Sequence, residues 1–204
     1  MVKHHLRELG DLCSYTVVAS GTPLGTLSGL ITDSENWAVN DFVVSVKHAP
    51  ESPVLFLPAE SFSAIDDEQK QIDLDISDDL VRAARQNRST DIAGSKLLDA
   101  TAIVGQRVYG FDGLAGKVTD LLVNINIGAL RYFVIATATQ RVLTDIEWCS
   151  SYGHGDERLS IDLPRAAIET APPYESLDEL CRGYEEALYR HYTSRAFSIK
   201  TGLA

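Results

Sequence analysis

Residues 15–44, YTVVASGTPLGTLSGLITDSENWAVNDFVV, and residues 105–135, GQRVYGFDGLAGKVTDLLVNINIGALRYFVI, are two versions of one text. With one residue inserted in the second copy's turn, Gly25 falls on Gly116, Leu27 on Val118, and Leu30-Ile31 on Leu121-Leu122. Val39 then meets Leu130, and Phe42-Val43-Val44 meets Phe133-Val134-Ile135. The register runs on past these stretches. Glu60 falls on Glu147, Ile72 on Leu159 and Leu74 on Ile161, and a short helical segment follows each copy, at 77–84 and 164–171. A repeat of this kind decides the architecture before any local reading does, because each copy must build the same unit.

Within a copy the pattern is that of short strands. Thr16–Ser20 stops at Gly21-Thr-Pro, and Val108-Tyr109 stops at Gly110-Phe-Asp-Gly; both read as hairpin turns. Longer strands are expected over 24–32 and 114–123, then 37–46 and 129–137, with their β-branched and aromatic runs. Shorter ones follow at 54–57 and 141–144, and at 71–76 and 158–163, while 62–67 and 149–156 read as loops. Strands with no helix between them must close or sandwich to remove their edges, so a small β-barrel is expected of each copy. The predicted fold is therefore mainly β: two tandem barrels at 8–81 and 98–171, a linker at 82–97, and a C-terminal helix and tail at 172–204. For that helix, Ser176 and Glu179 predict a capping box. Leu177, Leu180, Tyr184 and Leu188 then fall on one apolar face, the candidate partner surface. Glu186 and Arg190 are placed to pair across one turn.

Composition excludes several functions. The 204 residues carry 18 Lys and Arg against 29 Asp and Glu, a net charge of −11. Residues 1–97 hold 8 basic and 15 acidic groups, and residues 98–204 hold 10 and 14, so neither half is basic. Direct binding to nucleic acid, which needs clustered cations, is not expected. The most apolar window, 132–138, is far too short to span a bilayer, so no membrane insertion is expected either. Three cysteines without a C-x-x-C spacing, and the lack of a signal-like leader, predict a reduced, cytoplasmic protein. The histidines do not fall at metal-ligand spacing with acids or cysteines. Asp112 and Asp120 could bind a cation beside Asp145, but read as acids that satisfy turn N–H groups or pair with an Arg such as Arg131. No phosphate-cradling glycine loop precedes a helix. Cys149 near His154 and Asp156 is the nearest approach to a nucleophilic site, but no elbow pattern accompanies it. No enzyme, cofactor or metal is expected.

The repeat resembles the PRC-barrel, the β-barrel of the cytoplasmic part of the photosynthetic reaction-centre H subunit and of the C-terminus of the ribosome-maturation factor. The resemblance rests on Tyr15-Thr-Val-Val-Ala-Ser, Gly25 and Trp37-Ala-Val-Asn-Asp-Phe-Val-Val in the first copy. In the second it rests on Asp112-Gly113-x-x-Gly116, Asp120-Leu-Leu and Arg131-Tyr-Phe-Val-Ile. The first copy has Gly21-Thr-Pro in place of the turn Asp-Gly, and the second has Gly128 in place of the Trp. Tandem PRC-barrels imply a protein docking or assembly module, associated with a membrane electron-transfer complex through one of its subunits and open to homo-oligomer formation. Two alternatives stand beside it: a ribosome-assembly factor that binds a ribosomal protein, and a small-ligand binder or enzyme using a crevice between the barrels. The signature residues Gly25, Trp37, Asp112, Gly113, Gly116, Asp120 and Arg131 are expected to be structural, as turn glycines, backbone-satisfying acids and barrel packing.

Overall fold

The computed structural model describes residues 5–46, 54–86, 96–153 and 158–200. A short strand β1 (Leu6–Glu8) and one turn of helix α1 (Leu9–Leu12) lead into the first repeat. That repeat supplies β2 (Thr16–Ala19), β3 (Thr22–Asp33), β4 (Val39–Ser45), β5 (Val54–Pro58), β6 (Phe62–Asp66) and β7 (Gln71–Leu74), then helix α2 (Asp78–Gln86). The second opens with β8 (Leu97–Asp99) and a 3-10 turn, Ala100–Ile103. It continues through β9 (Arg107–Gly110), β10 (Gly113–Asn124), β11 (Ala129–Ala136), β12 (Arg141–Asp145), β13 (Cys149–Gly153) and β14 (Arg158–Ile161). Helices α3 (Arg165–Glu169) and α4 (Arg182–Lys200) follow.

Each repeat hydrogen-bonds its strands along the same path. The first runs β5-β4-β3-β2-β7-β6 with β8 added on β3, and the second runs β12-β11-β10-β9-β14-β13 with β1 as its seventh strand. β2 with β7 and β9 with β14 pair in parallel, whereas β2–β3, β3–β4, β4–β5, β6–β7, β9–β10, β11–β12 and β13–β14 are antiparallel. Neither path closes into a ring of hydrogen bonds. β5 and β6 remain edges joined by the 3-10 turn Ala59–Ser61, and β12 and β13 by Ile146–Trp148. The segments 62–66 and 149–153, expected as loops, are strands because each folds back antiparallel on β7 or β14. Only the tip of the second, which holds His154 and Asp156, lies outside the described residues.

The expected one-residue insertion between the copies is absent. Both opening hairpins have two-residue turns, and both carry one extra residue on the long strand, between Pro23 and Gly25 and between Leu114 and Gly116. With turn and bulge common to both, the two hairpins match residue for residue, Thr16 on Arg107 and Pro23 on Leu114. The repeat also begins earlier than its legible text, since β1 and α1 match β8 and the turn at 100–103. At the ends of the expected linker, α2 runs through Gln86 and β8 begins at Leu97, while 87–95 lie outside the described residues.

The chain divides into two compact units. One comprises Arg7–Ala102 with Val123–Leu130, the other Met1–Leu6, Ile103–Leu122 and Arg131–Ala204. In the first unit the core is Val17, Leu27, Leu30, Val44, Leu55, Leu57 and Ile72, none more than 2% exposed. Side chains of this kind each contribute about 1.5–3 kcal/mol on full burial. In the second unit Val108, Leu121, Phe133, Ile135, Val142, Leu143 and Leu159 are wholly buried. Ala167, Ile168 and Tyr174 extend that core to the C-terminal segment. No helix among the described residues is long and apolar enough to cross a membrane.

Candidate functional site

The signature residues lie on strands and in the turns between them. A Cβ on Gly25 would strike the Ser45 carbonyl oxygen, and one on Gly116 would strike that of Ala136. Both positions lie at the bulge, and glycine alone fits beside those carbonyls. Asp112 sits in the β9–β10 turn and accepts the Arg165 backbone N–H at 2.6 Å, capping α3. Gly113 beside it has φ of +150°. Asp120 accepts from the backbone N–H of Leu121 at 2.7 Å. Arg131 pairs with Asp145 at 3.0 Å and lies over the Tyr132 ring. The Asp145 carboxyl is held above the usual carboxylate range by burial, against the Glu147 N–H and the charge of Arg131, which pull it down. These acids are thus not gathered into a cation site, and no cluster of metal-ligating groups occurs among the described residues.

Trp37 is buried, at 7% exposure, with φ of +61°. Gly128, its match in the second copy, has φ of +59°. Left-handed backbone costs a residue with a Cβ about 1–2 kcal/mol, which explains the glycine and marks Trp37 as held there by packing. The two positions meet. The Val39 N–H donates to the Gly128 carbonyl at 2.7 Å, the Leu130 N–H donates to that of Trp37 at 3.0 Å, and Ala38 faces Ala129 in an antiparallel bridge. The turn at 124–128, although written in the second copy, is thereby built into the unit of the first.

The proposed apolar face of the C-terminal helix is mostly covered by the protein itself. Leu180 is 2% and Leu188 3% exposed, while Tyr184 is half-buried and donates to the Pro172 carbonyl at 3.1 Å. Burial pushes the Tyr184 hydroxyl well above its ordinary range. Leu177 lies in a 3-10 turn, Leu177–Glu179, and stays half-exposed. The capping box does not form. Ser176 makes no side-chain cap, and the α-helix starts at Arg182, after Leu180 has turned into the core. The exposed pair on α4 is Arg182 with Glu186, at 2.9 Å. Sequence reasoning missed Tyr192, which anchors this helix: its hydroxyl donates to the Leu143 carbonyl at 2.7 Å and lies 3.1 Å from Thr144 Oγ1. Burial pushes the Cys149 thiol up to about 11, and His154 and Asp156 lie outside the described residues.

What the first unit offers instead is a cavity of about 380 Å³, within the range of small-molecule and side-chain sites. Its wall is apolar: Leu12, Leu30 and Ile72 are buried, and Phe42, Phe62 and Ile65 are half-buried. Exposed residues Glu60, Asn126 and Ile127 also line it, Ile127 being 69% exposed and Glu60 the one charged lining group among the described residues. Two small residues, Ala59 and Gly128, also line it. At the matching positions of the other copy stand Ile146 and Trp37, both buried. Ala59 comes from the first copy and Gly128 from the second, and each is smaller than its match, so the repeat alignment held the signal for the cavity. Neither a protein-family model nor a curated protein matches the chain.

Proposed function

We propose that this protein is a non-catalytic docking module of two PRC-type barrels, and that the cavity of its first unit seats an apolar side chain of a protein partner. The cavity carries the reading: an apolar wall with a few exposed residues, one of them charged, is the anatomy of a pocket for an anchoring residue. The barrel likeness is supported by the identical strand path of the two copies, whose edge strands are joined by a three-residue turn in each.

The test places a photo-crosslinking phenylalanine analogue at Ile127, whose exposure lets it accept the change. Irradiation of intact cells is expected to give an adduct of protein mass. Ala59→Ile, which installs the residue of the matching position in the second copy, is expected to abolish it. An adduct that survives Ala59→Ile would remove the cavity from the reading. The cavity's volume favours a second reading, a small apolar ligand. Native mass spectrometry would then show a non-covalent adduct of a few hundred daltons, lost in the same variant.

A further inference from the structure

Three cations form a row across the sheet of the second unit. Lys117 on β10 stands in register with Arg107 on β9, and Arg107 with Arg158 on β14. Residues in register on adjacent strands share a face, and neighbouring strands lie about 4.8 Å apart. All three residues are exposed, and none has an ion-pair partner among the described residues. Like charges set directly opposite one another destabilise a sheet, so the row is an electrostatic cost. The first copy avoids that cost on the same scaffold. Its matching row is Thr26, Thr16 and Gln71, in the same register and uncharged.

The next row on this face is apolar. Tyr109 and Leu114 are in register, the Arg158 guanidinium lies 4.6 Å from the centre of the Tyr109 ring, and Leu114 is 47% exposed. At the hairpin tip Phe111 is 58% exposed. A cationic row beside exposed apolar side chains, on a chain of net charge −11, selects for a particular anion. A long polyanion or a charged bilayer meets the repulsion of the whole molecule and gains three contacts at most. A short acidic segment carries few charges, and those more than a Debye length, about 8 Å at physiological salt, from the rest of the molecule are screened from it, so the row dominates its attraction.

We propose that this face docks an acidic segment of a protein partner, its carboxylates on Lys117, Arg107 and Arg158 and its apolar side chains on Tyr109, Leu114 and Phe111. The surface belongs to the second unit, so it stands or falls apart from the cavity of the first.

The test uses the full chain and a fluorescent eight-residue peptide alternating glutamate and leucine, followed by anisotropy. Binding is expected to weaken at least tenfold in the triple variant Arg107→Thr, Lys117→Thr, Arg158→Gln, which installs the first copy's own row. It is also expected to weaken as salt rises, and to be absent for a peptide alternating lysine and leucine. The triple variant should melt no lower than the parent, since it removes like-charge neighbours. Should it fail to fold, Lys117→Thr alone must still weaken the peptide severalfold. Undiminished binding by a folded variant would overturn the proposal. So would preference of the parent for phosphatidylserine vesicles or a single-stranded oligonucleotide over the acidic peptide.

Discussion

At the scale of the residue, repeat equivalence turns single side chains into experiments. Thr32 is fully buried and its hydroxyl has no hydrogen-bond partner among the described residues, whereas the matching residue of the second copy is Val123, 3% exposed. An unsatisfied buried hydroxyl costs about 1–3 kcal/mol. Thr32→Val is therefore expected to stabilise the protein by roughly 1 kcal/mol, read as a raised midpoint in urea unfolding. Asp41 on β4 is half-buried, and burial holds its carboxyl above the usual range. Its folded pKa exceeds the unfolded one, so its contribution favours folding at low pH and is lost as pH rises through the folded value. Asp41→Asn is expected to be more stable than the parent at pH 7. The difference should disappear near about pH 3, below the ordinary carboxylate range, in thermal melts at the two pH values.

Among elements, the long strands β3 and β10 depend on their bulge glycines and α4 depends on its aromatic anchor. Gly25→Ala and Gly116→Ala each drive a methyl group into a backbone oxygen of the adjoining strand segment. Each is expected to cost about 3 kcal/mol, because backbone, unlike a flexible side chain, cannot step aside. Equal losses in the two variants would agree with the equivalence of the repeats; a silent one would break it. On α4, Tyr192→Phe removes the donor to the Leu143 carbonyl, which is expected to cost about 1–2 kcal/mol by denaturant midpoint. The helix itself was legible from its sequence, but its start was not. The pattern Ser176 to Glu179 satisfies a capping rule locally, yet burial of Leu180 diverts the chain and postpones the helix to Arg182.

For the whole molecule, docking through an apolar cavity predicts a particle larger than the 22.3 kDa chain in native extract. The protein is expected to elute earlier from cell extract than after purification, and Ala59→Ile is expected to elute at the purified position in both. Identical elution of the parent from extract and after purification would count against a stable partner. Thiol labelling offers a check on the folded surface: exposed Cys181 should react with maleimide well before Cys149, whose thiol burial holds at about 11.

The sequence by itself determined the repeat, ten of its strands and the helical character of the C-terminus. Strand and helix periods are local properties, and two copies of one pattern reinforce each other. It also determined that Gly25 and Gly116 are equivalent. Only the tertiary structure decided which side chains remain exposed. Leu180 and Leu188 look like a partner face on a helical wheel, but both are buried in the folded chain. The cavity at Ala59 and Gly128 arises where a turn of the second copy joins the first unit, a pairing that no local pattern encodes. Lys117, Arg107 and Arg158 are scattered along an acidic chain and invisible to charge counts over halves. Strand register sets them side by side, because hydrogen bonding between strands fixes neighbours that sequence separation hides.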